Sequence, residues 1–66
     1  MKIFLNGEEK IFETKMTIAD LVEKFELDLK KIAVEKDLEI VNPDLFSATV
    51  IDEGSRIEIV HFIGGG

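Results

Sequence analysis

The residues best placed to do chemistry close the sequence: Gly64, Gly65 and Gly66 are three of only five glycines in 66 residues. Glycines in a row cannot build a core and are costly to order, so stability does not account for them. They are expected to provide a thin arm without Cβ atoms, ending at Gly66 in a carboxylate. Such an arm can thread a narrow channel and present its carboxylate to an enzyme. The plainer reading is a frayed end or a tag. Tags add polar or His-rich residues, however, whereas this run directly continues an apolar strand segment. The expectation is a working tail, with Gly64 and Gly65 as the threading arm and Gly66 as the reacting group.

Other chemistry is sparse. The sequence has no cysteine, which excludes disulfides, thiolate metal sites and cysteine nucleophiles. His61 is the only histidine, too few partners for a catalytic dyad or a zinc site, so it reads as a structural or rim residue of a strand. Asp44 and the pair Asp52-Glu53 have no pocket-forming length around them and read as turn residues carrying solvated charge. Glu23 and Glu26 read as the solvated face of a helix. The closing glycines are not expected to cradle a phosphate. No metal site and no bound cofactor are expected, and free-standing catalysis is not expected either.

Charge narrows the partners. Fourteen acidic residues against eight basic give a net charge of −6, which argues against nucleic acid or an anionic membrane, since both need clustered Lys and Arg. No apolar run approaches the roughly 20 residues of a membrane span, and the opening MKIFLNGEEK lacks the apolar stretch of a signal peptide. A cytoplasmic protein is expected.

The elements that must position the tail follow from periodicity. A chain of this length makes one small domain with a thin core, burying about 60% of its unfolded surface. Lys2 to Leu5 alternates, Asn6-Gly7 suits a type I′ turn, and Glu9 to Glu13 reads as the return strand. With a two-residue loop Phe12 joins the Ile3/Leu5 face and Ile11 joins Phe4; a bulge would exchange them. Thr17 is an N-cap with Asp20 at the third helical position, and Ile18, Leu21, Val22 and Phe25 form an apolar stripe that frays by Glu26 or Leu27. Asp20 and Lys24 stand i, i+4 on the outer face. Ile32-Ala33-Val34 has the pattern of a central strand, Glu35-Lys36-Asp37 of a turn, and Leu38 to Val41 of a short strand. Asn42-Pro43-Asp44 breaks regular structure, after which Leu45, Phe46, Val50 and Ile51 are expected to pack under the sheet. Gly54 marks a turn with positive φ, and Arg56 to Ile63 is the longest strand candidate.

One helix can cover only one face of such a sheet, so the fold class is α+β with a second, uncovered face. Phe4, Val60 and Phe62 are predicted to point to that face, which makes them candidate partner-binding residues. The domain is expected to span residues 1–63, and the tail 64–66.

The stretch Glu58-Ile59-Val60-His61-Phe62-Ile63-Gly64-Gly65-Gly66 resembles the C-terminus of the ThiS family, the sulfur carriers of thiamine thiazole biosynthesis. The Lys2-to-Gly7 hairpin, Thr17-Ile18-Ala19-Asp20-Leu21, and Ile32-Ala33-Val34-Glu35 followed by Glu39-Ile40-Val41 are similar as well, so the resemblance covers the chain. Leu38 departs from it, standing where many members have glycine or a polar turn residue, and Asn42-Pro43 shifts the usual proline by one residue. The resemblance implies a ubiquitin-like β-grasp fold, a mixed sheet of four to five strands with one main helix. It implies that a ThiF-type adenylating enzyme docks the open face and activates the Gly66 carboxylate with ATP and Mg²⁺, both belonging to that enzyme. Sulfur from a cysteine-desulfurase persulfide would then give a terminal thiocarboxylate, which thiazole synthase (ThiG) would accept. A sulfur carrier for molybdenum-cofactor synthesis, resembling the small subunit of molybdopterin synthase, is the alternative within the class. A ubiquitin-like binding module with a passive tail is the alternative outside it.

Overall fold

The computed structural model describes residues 1–62 of the chain. Asn6 and Gly7 take φ angles of 51° and 81°, the two left-handed residues that a type I′ turn requires. They join β1 (Lys2–Leu5) to β2 (Glu8–Ile11) in antiparallel register, with Lys2 opposite Ile11 and Leu5 opposite Glu8. The two-residue alternative is therefore the one adopted. Ile11 lies with Phe4 on the outer face and is 77% exposed, while Phe12 packs against the core.

A two-residue strand, β3 (Met16–Thr17), leads into α1 (Ile18–Lys24). Thr17 Oγ1 accepts the Asp20 N–H at 3.1 Å, and Asp20 Oδ2 accepts the Thr17 N–H at 2.9 Å, a reciprocal box that satisfies two donors at the helix start. The expected Asp20–Lys24 pair is not among the ion pairs. The Asp20 carboxylate is occupied at the cap, and the Lys24 ammonium lies 6.0 Å from the centre of the Phe12 ring. Glu26, at φ 55°, ends the helix, with Leu27 N–H donating to the Val22 carbonyl at 3.0 Å. Ile18, Leu21 and Val22 are buried, but Phe25, expected in the same stripe, is 42% exposed because the helix closes around it as the C-cap.

β4 (Ile32–Lys36) and β5 (Glu39–Val41) are joined by Asp37 and Leu38, both with positive φ, 51° and 74°. This corrects two expectations. Glu35 and Lys36 belong to the strand rather than the turn, and Leu38 belongs to the turn rather than the strand. A γ-branched residue in a left-handed conformation is strained, and Leu38 offsets little of that by burial, being 83% exposed. Leu38→Gly is accordingly expected to stabilise the domain by about 1 kcal/mol, read as a melting temperature several degrees higher. An unchanged or lower value would show that the exposed side chain contributes more than its conformation costs.

Asp37 also ties this turn to the sheet. Its Oδ1 accepts the Arg56 N–H at 2.9 Å and its Oδ2 lies 3.3 Å from the Lys36 ammonium. The hydrogen bond from Arg56, and then the one from Lys36, hold the carboxyl below its ordinary value of 3.8. A folded-state pKa that is depressed contributes stability above the unfolded value and loses it as pH falls through the folded one. Asp37→Asn keeps an acceptor and tolerates the left-handed backbone, so it isolates the charge. The variant is expected to melt below the parent at neutral pH, with the gap closing in acid below about pH 4. A gap independent of pH would remove the charge from the explanation.

Asn42 caps a 3-10 turn, Pro43–Leu45, and the following segment carries β6 (Val50–Ile51), which pairs with β3. Only half of the apolar set expected to pack there does so. Phe46 and Ile51 are buried, whereas Leu45 and Val50 are 54% and 46% exposed, since a single turn and a two-residue strand each aim alternate side chains outward. Gly54 has the expected positive φ, 80°.

β7 (Arg56–His61) completes a five-stranded mixed sheet of order β2-β1-β7-β4-β5, in which β1 and β7 are, among the described residues, the one parallel pair of neighbours. α1 covers one face, and Ile3, Ile18, Leu21, Val34, Ile51 and Ile57 between them are fully buried. This is the α+β architecture expected, with five strands. Ile63 and the proposed boundary between domain and tail lie outside the described residues.

Candidate functional site: the central strand and the open sheet face

β7 is the middle strand of the sheet, held by β1 on one side and β4 on the other. Backbone rungs to β1 end at Ile57, whose carbonyl accepts the Asn6 N–H at 2.9 Å. Asn6 then reaches further with its side chain: Oδ1 accepts the Ile59 N–H at 2.8 Å. The turn residue thus doubles as an anchor for the strand, a role its dipeptide context does not reveal. On the other side β4 pairs with β7 from Lys36↔Ile57 to Ile32↔His61, and Phe62 N–H donates to the Lys31 carbonyl at 2.8 Å. The backbone is therefore fixed up to the residue that precedes Ile63 and the glycines.

Strand alternation sorts the side chains. Ile57 and Ile59 face the core, and His61, opposite Ile32 on the same side, is exposed at its rim. Glu58, Val60 and Phe62 face the open side and are exposed, Val60 by 49% and Phe62 by 57%. Val60 stands opposite Ala33 of β4, and Ile40 of β5, opposite Glu35, adds another exposed apolar residue, 77% accessible. Ala33 and Ile40 were missed at the level of sequence, although the alternation Glu39-Ile40-Val41 was a usable signal for Ile40.

Phe4 shares this face but not this neighbourhood. It is half-buried on β1, level with Arg56, with the Lys2 ammonium 6.0 Å from its ring. Four residues of β7 separate that level from Val60, or about 13 Å along the strand. Val60 and Phe62 are brought together with Ala33 and Ile40, whereas Phe4 lies at the opposite end of the face with Arg56. Gly64, Gly65 and Gly66 lie outside the described residues.

The remaining polar candidates have local duties or none. Glu53 accepts the Lys2 N–H with both carboxylate oxygens at 3.2 and 3.1 Å, clamping the last turn to β1. Asp44 donates its N–H to Asn42 Oδ1 at 2.9 Å. Glu23 and Glu26 are exposed on and after α1, and Glu23 borders a shallow groove that also takes in Val22, Leu29 and Phe46. Among the described residues no group of three or more His, Cys, Asp or Glu is placed to hold a metal ion. No described helix is long and apolar enough to cross a membrane.

Comparison with known proteins gives a consistent picture. The model of the ThiS family matches residues 3–66. Over 63 residues the chain is 36% identical to the sulfur carrier protein ThiS of Bacillus subtilis, covering 94% of this chain and 96% of that protein. Over all 66 residues it is 42% identical to a thiazole synthase of Paramagnetospirillum magneticum, but it spans only 20% of that protein's length. The crystal structure of a thiamine biosynthesis protein (ThiS) from Geobacter metallireducens superposes along the full length of both chains with a TM-score of 0.87 at 23% identity. That likeness identifies the fold as the expected β-grasp.

Proposed function

The chain belongs to the ThiS family of sulfur carriers for thiamine biosynthesis, and from that premise we propose that Gly66 is its sulfur-bearing residue. The observation that carries this reading is the position of β7: the middle strand of the sheet, paired on both sides, carries the exposed Val60 and is followed in sequence by the exposed Phe62 and then the glycines.

A carboxylate is a poor electrophile because its charge is shared over two oxygens and its leaving group would be an oxide. In the proposed sequence a Gly66 carboxylate oxygen attacks the α-phosphorus of ATP on a ThiF-type enzyme, and pyrophosphate leaves. The acyl-adenylate then carries a good leaving group. Sulfur from a cysteine-desulfurase persulfide attacks the acyl carbon, AMP departs, and thiol cleavage of the S–S bond leaves the thiocarboxylate. ATP and Mg²⁺ are bound by the activating enzyme. This chain supplies the electrophilic carbon and the handle.

The fold sets a distance for that chemistry. The chain is anchored at Phe62, and four extended residues span at most about 14 Å. Any enzyme acting on Gly66 must therefore bring its reacting centre within that radius of the open-face rim, which makes Val60 and Phe62 natural contacts. The absence of Cβ atoms at Gly64 and Gly65 lets the arm lie in a channel too narrow for other residues.

The likeness to a segment of a thiazole synthase supports thiazole synthase as the acceptor of the sulfur. The test is substitution between pathways. Once loaded with sulfur, the full chain is expected to support thiazole formation by a thiazole synthase and not to support dithiolene formation by the large subunit of a molybdopterin synthase. The reverse preference would assign it to molybdenum-cofactor synthesis and overturn the reading.

A further inference from the structure

The open face carries two like charges facing one another. The β4–β7 register sets Glu35 directly opposite Glu58, and both side chains stand on the side away from α1, Glu58 exposed and Glu35 half-buried. Cβ atoms so paired lie about 5 Å apart, and like charges placed this way destabilise the sheet. Some other carboxylates are paired: Glu9 on β2 with Lys2 at 3.3 Å, and the turn residues Asp37 and Asp52 with Lys36 at 3.3 and 3.6 Å. Among the described residues neither Glu35 nor Glu58 has a Lys, Arg or His nitrogen within 4.0 Å. Arg56, two residues from Glu58 on the same face, does not close on either.

The surroundings of this pair are apolar. The next rung is Ala33 opposite Val60, Phe62 follows beyond it, and Ile40 stands across from Glu35 on β5. Two carboxylates bordered by exposed apolar side chains specify an occupant. A nucleic acid or an anionic membrane has the wrong sign. A second copy stacked on the same face would bring four carboxylates into one desolvated contact. A guanidinium or ammonium group, set in an otherwise apolar surface, would satisfy both carboxylates at once, and arginine's forked donors suit two acceptors best.

We infer that Glu35 and Glu58 together receive a basic side chain of the adenylating partner, with Val60, Ala33, Ile40 and Phe62 forming the apolar border of the contact. This rests on the sulfur-carrier reading above. The carboxylate pair is thus a recognition element that weakens the free protein and is relieved on docking.

The experiment titrates the full 66-residue chain against a ThiF-type enzyme at low and raised salt, beside Glu35→Gln, Glu58→Gln, the double variant and Glu9→Gln. Thermal melting of each free protein and sedimentation of the parent accompany the titrations. Each of the two single variants is expected to bind about tenfold more weakly, with a shallower salt dependence, and to melt at a higher temperature than the parent. Glu9→Gln, which removes a carboxylate already paired with Lys2, is expected to bind as the parent does. A double variant that binds as tightly as a normally adenylated parent would overturn the inference and leave the carrier reading standing. A parent that neither binds nor is adenylated would overturn both. A parent that sediments as a dimer dissolved by Val60→Asp would make a second copy the occupant and overturn the inference.

Discussion

Deletion of Gly66 is expected to abolish thiocarboxylate formation while leaving the melting temperature unchanged. The deletion draws the carboxylate back by about 3.5 Å, and misplacement of a reacting atom by even 1 Å can lower a rate about a hundredfold. A fall of at least about a thousandfold in the rate of adenylation follows, measured as pyrophosphate release. Adding one alanine after Gly66 moves the carboxylate outward by the same step and is expected to have the same effect. The folded domain is expected to be indifferent to both changes, because among the described residues the buried core is drawn from Ile3 to Ile57, with Ile59 packed against it. A ubiquitin-like module with a passive tail would keep its partner binding under either change, and that result would place the protein in the other class.

Phe62→Asp is the second large effect. The Phe62 N–H still donates to the Lys31 carbonyl at 2.8 Å whatever the side chain, and the ring is 57% exposed, so the fold should tolerate the substitution. At the proposed interface the same change would remove an aromatic anchor and place a charge where docking would exclude water. Affinity for the adenylating enzyme is expected to fall about a hundredfold, roughly 2.7 kcal/mol, in the range of interface hot spots. Leu29→Asp is the matched control, a comparably exposed apolar residue in the 3-10 turn Leu29–Lys31 on the helix side of the sheet. It is expected to leave binding unchanged. Equal losses from the two variants would mean that net charge matters rather than the open face.

Features with a local physical cause were legible in the residues. Asn6-Gly7 announced its turn because few other dipeptides accept two positive φ angles, and Thr17 with Asp20 announced a helix start because together they satisfy backbone donors. The alternation of Arg56 to His61 placed Ile57 inward and Val60 outward correctly. Features fixed by distant partners were not legible. Asp37 suits a type I′ turn but Leu38 does not, and Leu38 is held left-handed by the pairing of β4 with β5 and by the bond from Arg56 to Asp37. β3 and β6 are two residues long, too short for any periodicity.

The site follows the same division. Alternation was enough to assign Phe4, Val60 and Phe62 to one face, but only the parallel register of β1 and β7 reveals that Phe4 sits at its far end. Glu35 and Glu58 lie 23 residues apart and meet only through the β4–β7 register. The lack of cysteine is compatible with the proposed carriage of sulfur on the Gly66 carboxylate, which would need no thiol of this chain.

The most direct measurement is the intact mass of the full chain after incubation with a ThiF-type enzyme, ATP, Mg²⁺ and a persulfide donor. Sulfur in place of one carboxylate oxygen is expected to raise the mass by about 16 Da, and omission of ATP to prevent it. Fragmentation should assign the increment to Gly66. An unchanged mass, under conditions that convert an authentic carrier, or an increment on any other residue, would contradict the account.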